Sequence, residues 1–107
     1  MKSTALKNTE EEAVIRRIID ALDLPHSVNE YRVSLRPDHA GDPAAYLLFL
    51  MDDKLDKPEF LKGVSQITSS VMTAILDSPD TERYPFPHFR FLSEQTEMDA
   101  RNPGQNW

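Results

Sequence analysis

Val28 to Met51 reads VNEYRVSLRPDHAGDPAAYLLFLM, and the different patterns of its two halves decide the fold. In the first half Tyr31, Val33 and Leu35 alternate with Arg32, Ser34 and Arg36, the period of a strand with one face buried and one wet. Pro37 to Pro43, PDHAGDP, combines prolines, a glycine and aspartates and can continue neither helix nor strand. Ala44 to Met51 then runs AAYLLFLM, apolar on both sides of any strand it forms. Such a strand is central in its sheet or has its outer face covered. The two strands are expected to pair as an antiparallel hairpin with a long loop.

Upstream, Thr9 and Glu12 have the spacing of a capping box, and Glu10 and Glu11 suit the positive end of a helix. Ile15, Ile18, Ile19 and Leu22 follow at helical spacing, and Pro25 closes the segment. Downstream, Asp56 is placed as an N-cap with Pro58 in the first turn and Glu59 three residues after the cap. The second helix turns Phe60 or Leu61, Val64, Ile67, Val71, Ala74 and Ile75 inward until Ser78, Pro79 and Asp80 stop it. His88 to Leu92, HFRFL, reads as a short third strand, and Pro85 and Pro87 before it point to a sheet edge. From Glu94 to Trp107 the chain is polar with little periodicity and reads as a tail. The expectation is an α+β fold of α-β-β-α-β order, a three-stranded sheet with two helices packed on one face. A lead of residues 1–8, a single domain of 9–93 and a C-terminal tail of 94–107 complete the organisation.

Over residues 10–93 this order, with YRVSLRPD, AAYLLFLMDD, VSQITSSVM and PHFRFLSE in succession, resembles small KH-like domains of the type found in bacterial ribosome-binding factor A. The resemblance implies a KH-like fold and, with it, an RNA-binding or ribosome-associated role. The chain has no GxxG loop and is acidic where that family is basic, so no functional residue is carried over.

Composition narrows the classes. At 107 residues there is room for one modest core. The lack of cysteine removes disulfides, thiolate metal ligands and thiol nucleophiles. MKSTALKN is followed by TEEE instead of an apolar run, unlike a signal peptide, and the apolar stretch of Ala44 to Met51 is far short of a membrane span. A cytoplasmic protein without membrane association is expected. Twelve basic against eighteen acidic side chains give a net charge of −6, an unfavourable field for phosphate-rich partners and a better one for proteins.

The strongest functional signal is Gly63 to Leu76, GVSQITSSVMTAIL, fourteen residues without a charge in a chain that is 28% charged. A helix exposed on one side normally shows Lys and Glu to water. Here Gly63, Ser65, Gln66, Ser69, Ser70 and Thr73 stand in their place, groups that a partner approaches at little desolvation cost. Packing inside the monomer explains the same residues equally well. Arg32, Arg36 and Arg90 share a strand face and suit phosphates or an acidic partner, or else form an ordinary solvated face. Trp107 is a candidate anchor that orders on binding. Asp38, His39 and Asp42 are potential metal ligands better explained as turn residues, and Asp52, Asp53 and Asp56 lack the glycine and distal glutamate of a calcium loop. His26, His39 and His88 accompany no nucleophile elbow, phosphate loop or dinucleotide fingerprint. The reading is a non-catalytic interaction domain with no cofactor or metal, either self-associating or acting as a small acidic, antitoxin-like partner of another protein. The alternative is a KH-like RNA-binding module.

Overall fold

The computed structural model describes residues 8–103, so residues 1–7 of the expected lead and Trp107 lie outside it. Helix α1 spans Asn8–Asp20, strand β1 Val28–Pro37, strand β2 Pro43–Met51, helix α2 Lys57–Asp77, strand β3 Tyr84–Phe91 and helix α3 Leu92–Arg101. The class is α+β, with three helices and a mixed three-stranded sheet in the order β1-β2-β3.

The doubly apolar segment is the central strand. It pairs antiparallel with β1, Val33 opposite Leu47, and parallel with β3, Leu47 opposite Pro87. The long turn between β1 and β2 is closed by Asp38, whose Oδ1 accepts from the amides of Ala40 and Asp42, while Gly41 supplies a left-handed φ of 88°. Strand β3 begins four residues before the expected HFRFL because prolines fit extended backbone, and at a sheet edge their missing donors disturb no second ladder.

On one face of the sheet Ala45, Leu47, Phe49 and Met51 share a buried cluster with Ile15 and Ile19 of α1 and Ile67, Val71 and Ile75 of α2. Helix α2 starts as its sequence dictates. Asp56 accepts from the Glu59 amide, and the Glu59 carboxylate accepts from the Asp56 amide. Arg83 ties the elements together at the other end. Its guanidinium forks onto Glu11 of α1 at 2.9 and 3.2 Å and donates to the Ala44 carbonyl. With 12% and 21% of the two side chains exposed, this pair is shielded better than the other ion pairs of the described residues.

The expected α-β-β-α-β order is extended by α3. Its segment lacks the apolar stripe by which a helix shows in sequence; the buried side chain of α3 is the polar Gln95. The helix starts directly from β3, and the Glu94 carboxylate reaches back to the Phe91 amide in place of a Ser, Thr or Asp cap.

Gly63 is buried in α2, and a Cβ there would stand 3.0 Å from Met51 Cε. Gly63→Leu is expected to cost about 1–3 kcal/mol through overpacking. Gly63→Ala should stay within about 1 kcal/mol of wild type, because the helix-propensity gain offsets the shift asked of a flexible methionine end. Urea unfolding checks both.

Candidate functional site

Helix α2 presents its uncharged side to solvent. Leu61, Ser65, Gln66, Ser69, Thr73 and Leu76 are exposed, and Thr68 and Met72 are half-buried. At 100° per residue Leu61, Ser65, Met72 and Leu76 fall within one narrow stripe running the length of the helix, with Ser69 at its border. Leu61 and Leu76 are 54% and 53% exposed, large values for leucine. Two expected contact residues sit elsewhere. Gly63 is buried against Met51, where its lack of a side chain lets the helix approach β2, and Ser70 is half-buried. The sequence does not single out the leucines bounding the stripe, because helical spacing admits either Phe60 or Leu61 as the inner residue and Leu76 directly follows the buried Ile75.

The second face of the sheet carries Arg32, Ser34 and Arg36 on β1, Tyr46, Leu48 and Leu50 on β2, and Phe86, His88 and Arg90 on β3. Two of the three arginines are engaged by α3. Arg90 donates to Gln95 Oε1 at 2.5 Å, Gln95 Nε2 donates to Asp99 Oδ1 at 2.8 Å, and Arg32 grips Asp99 with both terminal nitrogens at 3.2 and 2.8 Å. Arg32 Nε also donates to Glu30. The side-chain amide of Gln95 has only one productive orientation here, oxygen toward the cation and nitrogen toward the carboxylate. The chain of bonds passes from β3 to β1 and carries α3 across Leu48 and Leu50, both fully buried.

Beyond α3 the face is aromatic. Tyr46 and Phe86 stack with centroids 5.1 Å apart, Tyr84 tilts against Phe86 at 5.1 Å, and the Arg36 guanidinium lies 4.0 Å from the Tyr46 ring centre. Arg36 also donates to Ser34 Oγ. His88 stands 6.2 Å from Tyr46. Partial burial, reinforced by Arg90 and Arg36, holds His88 below its ordinary value of 6.5, so it is neutral at pH 7.

The other candidates resolve into local structure. Asp38 and Asp42 belong to the β1–β2 turn, Asp52 caps the Lys54 amide, and Asp53 holds the amide and hydroxyl of Ser93 at the start of α3. Among the described residues no three His, Cys, Asp or Glu side chains gather as a metal site, and no helix is long and apolar enough to cross a membrane. Comparison with protein-family models, curated proteins and solved structures finds no match.

The Arg32 guanidinium, and after it Gln95, hold Asp99 below its ordinary value of 3.8. A depressed carboxylate pKa stabilises the docked helix above pH 3.8, and that stabilisation disappears as pH falls through the lower folded value. Carbon-13 titration of the Asp99 carboxyl should show this depressed midpoint, and Arg32→Ala should return it toward 3.8.

Proposed function

We propose that this protein is a non-catalytic interaction domain whose contact surface is the outer stripe of α2, with a second copy of the chain as its leading partner. The observation that supports this reading is the outward stripe of α2, bounded by the exposed Leu61 and Leu76, with exposed Ser65 and Ser69 and half-buried Met72 between them and no charge from Gly63 onward. Isolated exposed leucines are ordinary, but their alignment with Met72 and small hydroxyl residues makes a strip that sheds water cheaply. Self-association suits a neutral strip on a chain of net charge −6, because the contact itself brings no like charges together. A basic protein partner, as in an antitoxin-like role, uses the same surface and draws on the acidic field.

Magnitude limits the contact. The stripe is about 22 Å long at the helical rise and about 10 Å wide. It therefore covers on the order of 200–300 Å² per copy, against the roughly 800 Å² per partner of a stable interface. Burying the exposed halves of Leu61 and Leu76 adds about 1 kcal/mol each. A pair of α2 helices is thus a weak dimer unless neighbouring elements join it, and light scattering must reach millimolar protein. At that concentration wild type is expected to show a rising mass and Ser69→Glu to stay monomeric with unchanged thermal stability. A wild-type mass that stays monomeric throughout, with no partner recovered from its host, would remove the reading.

A second reading, a KH-like RNA-binding module, draws support from the aromatic patch of Tyr46, Tyr84 and Phe86 with Arg36 beside it, since bases stack on such rings. The engagement of Arg32 and Arg90 with α3 leaves it fewer phosphate contacts than the strand pattern offered. Fluorescence anisotropy with single-stranded RNA should then show binding that weakens steeply with salt and is lost in Arg36→Glu. Binding that is undetectable or insensitive to salt would exclude it.

A further inference from the structure

Past the C-terminal end of α3 the second sheet face carries aromatic rings. Helix α3 leaves the end of β3 and travels back along the face. Gln95 is fixed to Arg90 in one cross-strand row, and Asp99, one turn later, to Arg32 in the next. The row after that holds Tyr46 beside Phe86, and the one beyond it Arg36 and Tyr84. Phe86 stacks on Tyr46, Tyr84 tilts against Phe86, and the Arg36 guanidinium lies at the Tyr46 ring. Tyr46 and Phe86 are half-buried, and Tyr84 is 47% exposed. This aromatic shelf meets the end of a helix about 10 Å thick, so the surface descends there by a step.

The chain leaves α3 at this step. The helix closes with the Asn102 amide on the Met98 carbonyl, and Pro103 bars a further turn. Asn102, Pro103, Gly104 and Gln105 have the residue order of a type II turn, proline second and glycine third, which redirects the backbone. From Asp99 onward the one large apolar side chain is Trp107. Distance permits it to reach the rings. The rows of Tyr46 and Tyr84 lie about 7 and 13 Å beyond the Arg32 row at the rise of a strand. Four residues after Pro103 span up to about 13 Å, and the last turn of α3 has already advanced past Arg32.

We propose that residues 104–107 fold back onto the shelf and that the Trp107 indole is its occupant, packed against Tyr46 and Phe86 at the foot of α3. The two surfaces match in chemistry. An indole is a large flat apolar surface that pairs with other rings in offset or edge-to-face contact. The shelf supplies such rings with a guanidinium beside them, a neighbour that also favours a tryptophan face. Seated there, the indole holds down the last turn of α3 beyond Asp99. The contact is separate from the α2 stripe and stands whether or not the chain self-associates. A nucleic-acid base, the occupant in the RNA-binding reading, has to displace it.

Trp107 is the one tryptophan of the chain, so its fluorescence reports the contact directly. In the full chain indole emission is expected to lie blue of that in urea, with weaker acrylamide quenching, and neither should change on dilution. Nuclear Overhauser effects should join the indole to the Tyr46 and Phe86 rings. Trp107→Ala should move the ring signals of Tyr46, Tyr84 and Phe86 and lower the melting temperature by about 2–5 °C, as loss of one aromatic pairing does in a domain of this size. Phe86→Leu keeps an apolar side chain on β3 and should return the quenching toward its value in urea. Emission and quenching equal to those in urea, the result for an indole left in solvent while the shelf awaits a base, would overturn the proposal. So would indole contacts to another surface, emission that changes on dilution, or ring signals unmoved by Trp107→Ala.

Discussion

Everything in this fold follows from a strand that is apolar on both faces. A sheet of three strands with helices on one side leaves the other side wet, and β2 places Leu48 and Leu50 there as well as Leu47 and Phe49 toward the core. Leaving two leucines exposed at the sheet centre forfeits roughly 1.5–3 kcal/mol each. Helix α3 removes that loss. It is drawn down by hydrogen bonds instead of by an apolar stripe, and the Arg90–Gln95–Asp99–Arg32 chain bridges the two outer strands over the central one. Gln95 is the buried member and has both ends of its amide satisfied, whereas the Arg32–Asp99 pair keeps 35% and 43% of its side chains exposed and is screened accordingly.

The elements that announced themselves in sequence are those built on apolar period and local caps. The β1–β2 hairpin, the inner face of α2 and the Asp56–Glu59 capping box could be read because each depends on residues near one another in the chain. Helix α3 was hidden because Gln95 and Asp99, the residues that dock it, are polar and their partners lie on β3 and β1, Arg32 being 67 positions from Asp99. The early start of β3 was masked by Pro85 and Pro87, which read as an approach to a strand and belong to the strand itself. Of the expected contact residues, the hydroxyl positions Ser69 and Thr73 are outward as their spacing suggested, whereas Gly63 serves the close packing of α2 on Met51.

Closing the second sheet face redistributes the chemistry of the surface. Arginines that look available as a phosphate-binding row become structural: Arg32 and Arg90 hold α3, and Arg36 lies over Tyr46. What remains outward includes an uncharged helix stripe and an aromatic patch at one end of the sheet. An uncharged stripe sheds water cheaply and stacked rings offer flat apolar area, so both suit recognition by shape more than by charge.

Hydrogen exchange on the native protein tests the central claim, that α3 is an integral cover of β2. Helical amides held by a complete polar network should open only with the sheet beneath them, so the protection of residues 95–101 should come within about tenfold of that of β2. Exchange of those amides at the rate of an unstructured chain, while β2 stays protected, would contradict the account and leave the second sheet face open.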